Sequence, residues 1–235
     1  MHPIERTNDT FRFADGSRRE IRGCRQRLID FCRYDAFSGY DRVGAAYSGI
    51  ANVIQPELLT AMNGAMRARS PRKAWAPFLG SPLGELTAVS VDADLVLDAD
   101  SDYAAARTAL GRCYLRLASA LWITDMAASK VLFLKRPKLV AISDSYVRTE
   151  LRIEDPRWSD FDRRGAYYGA RGLAVCDAVR EVGRHNLPLL LRLKDELLDT
   201  PEGFEMSLSR IVDVLIWTEE ASRSGHPFWS KLAAT

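Results

Sequence analysis

The sequence lacks several features that would assign it to a familiar class. No apolar run approaches the roughly 18 residues that a membrane-spanning helix needs. The N-terminus has no basic start followed by an apolar stretch and a small-residue cleavage site. From these absences we expect a cytoplasmic protein that does not interact with a membrane.

Cysteine and histidine are too few and too scattered to predict a metal centre. The cysteines form no Cys-x-x-Cys pair and no iron–sulfur cluster motif; they are Cys24, Cys32, Cys113 and Cys176. The histidines share no spacing that would put two on one helix face; they are His2, His185 and His226. We expect reduced, mostly buried thiols, no metal and no other cofactor.

Three motifs of common chemistry are also missing. The acidic run 98–102 does not make a calcium loop, because Tyr103 stands where the loop needs glycine and Ala109 where it needs glutamate. No glycine-rich phosphate loop follows a strand, and no Gly-x-Ser-x-Gly elbow occurs. Nucleotide hydrolases and ordinary serine esterases are therefore disfavoured.

Composition predicts a globular protein with a sizeable core, since 47% of the 235 residues are hydrophobic. The formal charge of +2 is too small to indicate a partner. Basic residues nevertheless cluster in 18–33 and 67–73, and the acidic segment 92–102 offsets them in the total. Each cluster fits either a binding face or an ordinary solvated surface.

Apolar residues recur at helical spacing along most of the chain. The predicted helices cover Arg18–Tyr34, Glu57–Arg69, Tyr103–Ala120, Asp160–Arg184, Leu187–Leu198 and Ser207–Ser222. We expect the fourth to be interrupted or loosened near Gly165 and Gly169, and Ser101 or Asp102 to cap the third. Ala74–Leu86 is predicted as a short helix and loop, and Val89–Leu97 as a loop with a helical turn. The pattern predicts an all-α fold, one domain over residues 1–235 with about eight to ten helices.

The central segment, residues 103–151, carries the most specific pattern. A helix over Tyr103–Ala120, a tight turn at Trp122–Asp125 and a second helix over Met126–Lys135 form a helix-hairpin-helix unit. A loop containing Pro137 then leads to Asp144, at the start of a further helix over Ser145–Leu151.

This arrangement resembles the helix-hairpin-helix DNA glycosylase superfamily. The segment Ala141-Ile-Ser-Asp-Ser-Tyr-Val-Arg148 is similar to the segment around the catalytic aspartate of that superfamily. The stretch Lys135-Arg-Pro-Lys-Leu139, with Asp144 to Arg148, also looks like a set of uncharacterised bacterial helical proteins. The specific resemblance covers residues 121–151.

The resemblance implies an enzyme that removes a modified or damaged base from double-stranded DNA, in repair or in defence against foreign DNA. Asp144 would stabilise the positive charge that develops on the sugar and would activate water. The best register puts Ala127 where lyase-active members carry lysine, which implies a monofunctional enzyme that leaves an abasic site. We separately expect the protein to be a monomer. Lys130, one helical turn further on, is the reserve nucleophile.

The resemblance also implies residues that hold a flipped base and contact the duplex. Trp122 and Tyr146 are the best placed aromatic residues for the base pocket, with Trp75 and Trp158 also available. The proposed DNA contacts are Asn63, Thr124, Lys135, Arg136, Lys138 and Arg148. The hairpin Ile123-Thr-Asp125 lacks the usual glycines, and its aspartate would repel a phosphate unless it turns away.

Two other interpretations remain open. Asp144 could be only a helix N-cap, worth ~1 kcal/mol, in a non-catalytic DNA-binding or adaptor protein. A small-molecule enzyme with a helical pocket is the other alternative. Each proposed aromatic residue could instead belong to the core, and each basic residue could be ordinary surface charge.

Overall fold

The computed structural model describes residues 9–17, 19–33, 39–43, 46, 52–64, 71–153, 164–201 and 204–226. Over these residues the protein is predominantly helical, which confirms the all-α prediction. The helices are α1 Cys24–Arg33, α2 Pro56–Gly64, α3 Arg72–Trp75, α4 Asp100–Ala118, α5 Asp125–Lys135, α6 Ser145–Glu150, α7 Arg164–His185, α8 Leu187–Leu198 and α9 Leu208–Arg223. Residues 39–43 are also helical, and Gly84–Ala88 form a 3-10 turn.

A short β-hairpin precedes α1, where the sequence predicted a helix from Arg18. Strand β1, Thr10–Arg12, pairs antiparallel with β2, Glu20–Arg22, and Phe11 lies opposite Ile21. Both apolar side chains are fully buried, because directly paired residues of two antiparallel strands point to the same face of the hairpin. Gly23, with a φ of +68°, then separates β2 from the helix.

Helices α4 and α7 pack along each other through glycines. At Gly165 an added Cβ would lie 3.1 Å from the backbone oxygen of Leu115, and at Gly172 it would lie 2.5 Å from the Tyr114 ring. The expected interruption near Gly165 and Gly169 is therefore wrong: the helix is continuous, and its glycines let the two helices approach closely. Residues 160–163 of the predicted helix lie outside the described residues.

Helix α5 is buried on nearly every side. It packs against α2, α4 and α7, and all its residues except Met126 are buried. Helix α9 packs against α1, α6, α7 and α8. Charged residues on α5 and on the inner face of α9 are consequently inside the protein, where they need partners.

Several local predictions can be compared with the observed elements. Helix α4 begins at Asp100 without a side-chain cap, so the predicted capping by Ser101 or Asp102 is wrong. Residues 89–99 form turns, as expected, and the four cysteines are free and buried. Among the described helices, none has both the length and the apolar character required to span a bilayer. The end of the predicted helix over Glu57–Arg69 falls outside the described residues.

Candidate active site around Asp144

The hairpin between α4 and α5 is held from the inside by Asp125. Its carboxylate accepts hydrogen bonds from Arg171 and from the Ser143 hydroxyl, and Arg148 Nη1 lies 3.4 Å from Oδ2. Thr124 caps α5, since its hydroxyl oxygen accepts from the Ala127 amide at 3.4 Å. Asp125 therefore turns away from solvent, and the Thr124 oxygen is already used within the fold.

Trp122 lies at the outer tip of this hairpin. It has a φ of +76°, a backbone region that side chains other than glycine rarely occupy, and it is 57% exposed. The neighbouring Leu121 is equally exposed. An enclosed base pocket needs a shielded ring, so this exposure argues against the pocket role that the sequence predicted for Trp122.

Asp144 caps α6, as the sequence predicted, but its carboxylate has a second contact. Oδ1 accepts the amide of Tyr146 at 3.0 Å, and Oδ2 lies 4.0 Å from Nζ of Lys130. The Asp144 side chain is 22% exposed, whereas that of Lys130 is 2% exposed. Asp144 is thus oriented by one oxygen and still reaches solvent, and Lys130 lies in the same site.

Ser143 aligns the loop that carries Asp144. Its amide donates to Ser129 Oγ at 2.9 Å, its carbonyl accepts from Arg148 Nη1 at 2.7 Å, and its hydroxyl donates to Asp125. Ser143, the residue before Asp144, is therefore held by three hydrogen bonds. Arg148, predicted as a phosphate contact, is instead part of this internal support.

A buried ion cluster lies beside Lys130. Arg210 on α9 donates to both oxygens of Asp41, at 2.8 and 3.0 Å, and to Oδ2 of Asp213. Burial raises the pKa of Asp213 to about 7, against the opposing effect of Arg210. Burial lowers the pKa of Lys130, against the opposing effects of Asp144 and Asp213. Asp144 and Asp213 therefore both act on the pKa of Lys130, and of these two carboxylates Asp144 is the one that lies 4.0 Å from it.

An aromatic rim, formed by Tyr146, Trp217 and His226, lies next to Asp144. The ring centroids are 6.0 Å apart for Tyr146 and Trp217, 5.7 Å for Tyr146 and His226, and 5.4 Å for Trp217 and His226. All three residues are partly exposed. The pocket role predicted for Tyr146 is compatible with this position, but its aromatic neighbours come from α9 and the segment after it.

Two of the predicted DNA contacts, Lys135 and Arg136, are buried, which contradicts their predicted role. Lys135 donates to Gln55 at 2.7 Å, and burial lowers its pKa to about 8. Arg136 donates to Asn52 at 2.8 Å and to the carbonyls of Leu86 and Val89 at 2.9 and 3.1 Å. Both cations are turned into the protein, where they hold neighbouring loops together.

The remaining predicted residues lie in different places. Lys138 is partly exposed, and its Nζ lies 3.1 Å from Oδ1 of Asp92. Asn63 is partly buried at the end of α2. Of the other two tryptophans, Trp75 is fully buried in the core and Trp158 lies outside the described residues.

Sequence reasoning missed Asp213, Trp217 and His226 as site residues. One signal was available: Asp213 interrupts the apolar run Ile211-Val-Asp-Val-Leu-Ile216, and a charge in such a run is either paired or functional. Nothing local indicated that α9 would lie beside Asp144.

The fold and the site define a helical protein in which a buried lysine meets a partly exposed aspartate at the start of a helix. A family model matches residues 31–220, and the chain belongs to that family, DUF6308, a family of unknown function. The matched region includes Lys130, Asp144, Asp213 and Trp217. Searches of curated proteins and of solved structures gave no match.

Proposed function

We propose that this protein is a DNA glycosylase that hydrolyses the N-glycosidic bond of a modified or damaged base and leaves an abasic site. One observation carries the proposal. Asp144 is oriented by the Tyr146 amide through one oxygen, while its other oxygen lies 4.0 Å from the buried Lys130 and the side chain remains partly exposed. A carboxylate that served only as a cap would not need this second contact.

The proposed chemistry uses the carboxylate twice. As the bond between C1′ and the base nitrogen breaks, the sugar gains oxocarbenium character, and the Asp144 carboxylate stabilises that positive charge. The electron pair of the broken bond leaves with the base. Water then bonds to C1′, and Asp144 accepts the proton that the water loses. The Tyr146 amide keeps Asp144 oriented through both steps.

Lys130 supports the carboxylate and offers an alternative nucleophile. As an ammonium it attracts the Asp144 carboxylate across 4.0 Å. Burial lowers the pKa of Lys130, which increases the fraction of neutral amine. A neutral amine could attack C1′ in place of water, so the reserve role predicted for Lys130 stays compatible with its position.

The aromatic rim would hold the extruded base. Flipping a nucleotide costs a few kcal/mol, and stacking against aromatic side chains recovers about 1–3 kcal/mol for each base. Trp217 and Tyr146 offer ring faces two to four residues along the chain from Asp213 and Asp144. Under this proposal they form the pocket wall, duplex DNA is the partner, and Trp122 contacts it from the hairpin tip.

The test compares wild type with Asp144→Asn on a panel of damaged and naturally hypermodified duplex DNAs, with release of free base as the readout. Asparagine keeps the cap but removes the charge, so we expect release to fall at least about 100-fold while folding and DNA binding persist. Asp102→Asn, a change at an exposed acid of α4, is the matched control and should keep wild-type activity.

Three outcomes separate the alternatives. DNA binding without base release from any substrate would favour the non-catalytic DNA-binding protein. Absence of DNA binding at low salt would favour a small-molecule enzyme. Covalent trapping of the protein on DNA by borohydride, lost in Lys130→Met, would identify the amine in place of water as the nucleophile.

A further inference from the structure

Helix α6, which carries Asp144 at its N-terminus, is too short to be stable without tertiary contacts. It spans six residues, Ser145–Glu150, and a helix of that length forms too few internal hydrogen bonds to persist in isolation. Its position therefore depends on contacts with the rest of the protein. Ser143 and the buried side chain of Val147 make such contacts at the start and the middle of the helix. Glu150 makes those at its end.

Glu150 joins α6 to two segments that are distant in sequence. Its side chain is 1% exposed, and Oε1 accepts a hydrogen bond from Arg19 Nη1 at 2.9 Å. The other oxygen, Oε2, lies 2.9 Å from Arg223 Nη1. Arg19 belongs to the β1–β2 hairpin, and Arg223 is the last residue of α9. Since a buried carboxylate needs partners, these two arginines fix where the end of α6 lies.

Arg19 is itself held by its own hairpin. Its Nη2 lies 2.5 Å from Asp15, its Nε donates to the Ser17 hydroxyl at 3.2 Å, and its guanidinium carbon lies 4.2 Å from the centre of the Phe13 ring. The Nη1 atom that binds the Glu150 side chain also donates to the Glu150 carbonyl at 2.7 Å. One planar guanidinium therefore binds both the backbone and the side chain of the last residue of α6.

The backbone that follows Glu150 is also fixed. The Arg152 amide donates to the Thr149 carbonyl at 3.1 Å, and the Ile153 amide donates to the Arg148 carbonyl at 2.9 Å, which is the pattern of a Schellman motif. Arg152, with a φ of +56°, occupies the position that glycine usually fills. A residue other than glycine keeps this conformation only where its surroundings hold it, so the end of α6 has a defined geometry.

The end of α9 contacts α6 at two points. Arg223 reaches Glu150, and the ring of His226, three residues further along the chain, lies 5.7 Å from that of Tyr146. Tyr146 is also the residue whose amide orients Asp144. A shift of α6 against the end of α9 would therefore move the donor of that hydrogen bond.

We propose that Glu150 is a positioning residue for Asp144: by pairing with Arg19 and Arg223 it fixes the end of α6, and through this short helix it fixes the amide that orients Asp144. The two ends of a six-residue helix are roughly 9 Å apart, so Glu150 acts through the helix and not by contact. This positioning is a property of the folded chain. Its consequence for base release rests on the proposed glycosylase function.

Amide hydrogen exchange of the full chain without DNA, followed by NMR, tests the positioning directly. The Tyr146 amide, bound to the Asp144 side chain, and the Arg148 amide, bound to the Asp144 carbonyl, report on the start of α6. Glu150→Gln keeps the size of the side chain but removes the charge that the two arginines share. Both amides should then exchange at least about 10-fold faster.

The most protected amides of α4 and α7 provide the internal comparison. If Glu150 positions α6, these amides should change less than those of Tyr146 and Arg148, because the opening is local. If Glu150 contributes only to global stability, the amides of α4 and α7 should accelerate at least as much as those of α6. That second result would overturn the proposal.

Arg223→Met keeps the test decisive if Glu150→Gln does not fold. The Arg223 side chain is 55% exposed, so its loss leaves the core intact while it removes one partner of Glu150. The α6 amides should exchange at least about 3-fold faster. Arg25→Met is the matched control, because Arg25 is 51% exposed and pairs with Glu196 of α8. Unchanged α6 amides in Arg223→Met, or an equal acceleration in Arg25→Met, would overturn the proposal.

The double variant of Glu150→Gln and Arg223→Met tests whether the two residues act through each other. Because both changes break the same pair, the two accelerations should not multiply. If they do multiply, Arg223 affects α6 by another route and the proposed pairing mechanism is wrong.

The kinetics of base release test the catalytic consequence. A displacement of about 1 Å costs about 100-fold in rate, so kcat in Glu150→Gln should fall about 10- to 100-fold. KM should stay within about 2-fold, since Glu150 is buried and does not contact DNA. Glu196→Gln, at an acid that also lies between two arginines, Arg25 and Arg192, should keep wild-type kcat.

The two proposals fail in different ways. If the α6 amides respond as expected but no DNA releases a base, the glycosylase proposal fails and the positioning of Asp144 by Glu150 stands. If base is released with an unchanged kcat in Glu150→Gln, the positioning role fails and the glycosylase proposal stands.

Discussion

The Nζ atom of Lys130 lies 4.0 Å from Oδ2 of Asp144, and the two side chains differ sharply in exposure, at 2% and 22%. The ammonium is inside the protein, whereas the carboxylate reaches its edge. Because the two charges are solvated so differently, removing either one has a different physical consequence.

We first predict that Lys130 makes the free energy of unfolding vary with pH in the alkaline range. Burial lowers its pKa below the ordinary 10.5, so the folded state disfavours the ammonium. This destabilisation is present below the folded-state pKa and is relieved as pH rises toward 10.5. Wild type should therefore gain free energy of unfolding relative to Lys130→Met over that range, by about 1.4 kcal/mol for each unit of lowering. Urea unfolding of both proteins between about pH 6 and pH 10 measures the two free energies. If the free energies of wild type and Lys130→Met change with pH in parallel, the prediction is contradicted.

A second prediction concerns the buried support of the loop that carries Asp144. Asp125→Ala leaves Arg171 and Arg148 without their shared carboxylate, and Ser143 without an acceptor. We expect the free energy of unfolding to fall by about 3–5 kcal/mol, the cost of removing one partner from a buried ion pair. Asp92→Ala removes a 79% exposed carboxylate from its surface pair with Lys138. This change should alter the free energy of unfolding by less than about 0.5 kcal/mol. Equal losses in denaturant unfolding would mean that Asp125 has no special role.

The glycines of α7 should respond oppositely to alanine. At Gly172 the new Cβ would lie 2.5 Å from Cε1 of the buried Tyr114, and we expect a loss of about 1–3 kcal/mol. At Gly169 the nearest atom is the Leu115 amide nitrogen at 3.5 Å, an ordinary contact. Gly169→Ala should therefore stabilise the helix by about 0.4–1 kcal/mol. Thermal unfolding of the two variants against wild type gives the comparison, and a stabilised Gly172→Ala would refute the close packing of α4 and α7.

The last prediction separates a structural cation from a partly exposed one. Arg136→Met leaves the Leu86 and Val89 carbonyls without their donor, so stability should fall by at least about 2 kcal/mol. Lys138→Met should be nearly neutral for stability, because Lys138 is partly exposed. If Lys138 contacts a DNA phosphate, its removal should reduce the slope of log affinity against log salt by about 1. Fluorescence anisotropy with duplex DNA at several salt concentrations measures that slope, and an unchanged slope would remove Lys138 from the DNA contacts.

The helices were predictable where their signals are local. The bounds of α8 match the predicted Leu187–Leu198, and α9 begins one residue after Ser207, whose hydroxyl accepts from the Arg210 amide. The N-cap role of Asp144 was equally readable, because a capping residue and its amide partner are only two positions apart. The β-hairpin was missed, since its strands are short and Arg18–Tyr34 also fits a helical spacing.

The sequence by itself determined the helical class, most helix positions and the place of Asp144 at a helix start, because these depend on residues within a turn or two of one another. Only the tertiary structure decided that Lys135 and Arg136 turn inward, that Lys130 meets Asp144, and that α9 packs against α6 and brings Trp217 to Tyr146. These arrangements follow from how buried helices pack against each other. That packing is set by shape and desolvation over the whole core, which no local spacing of residues records.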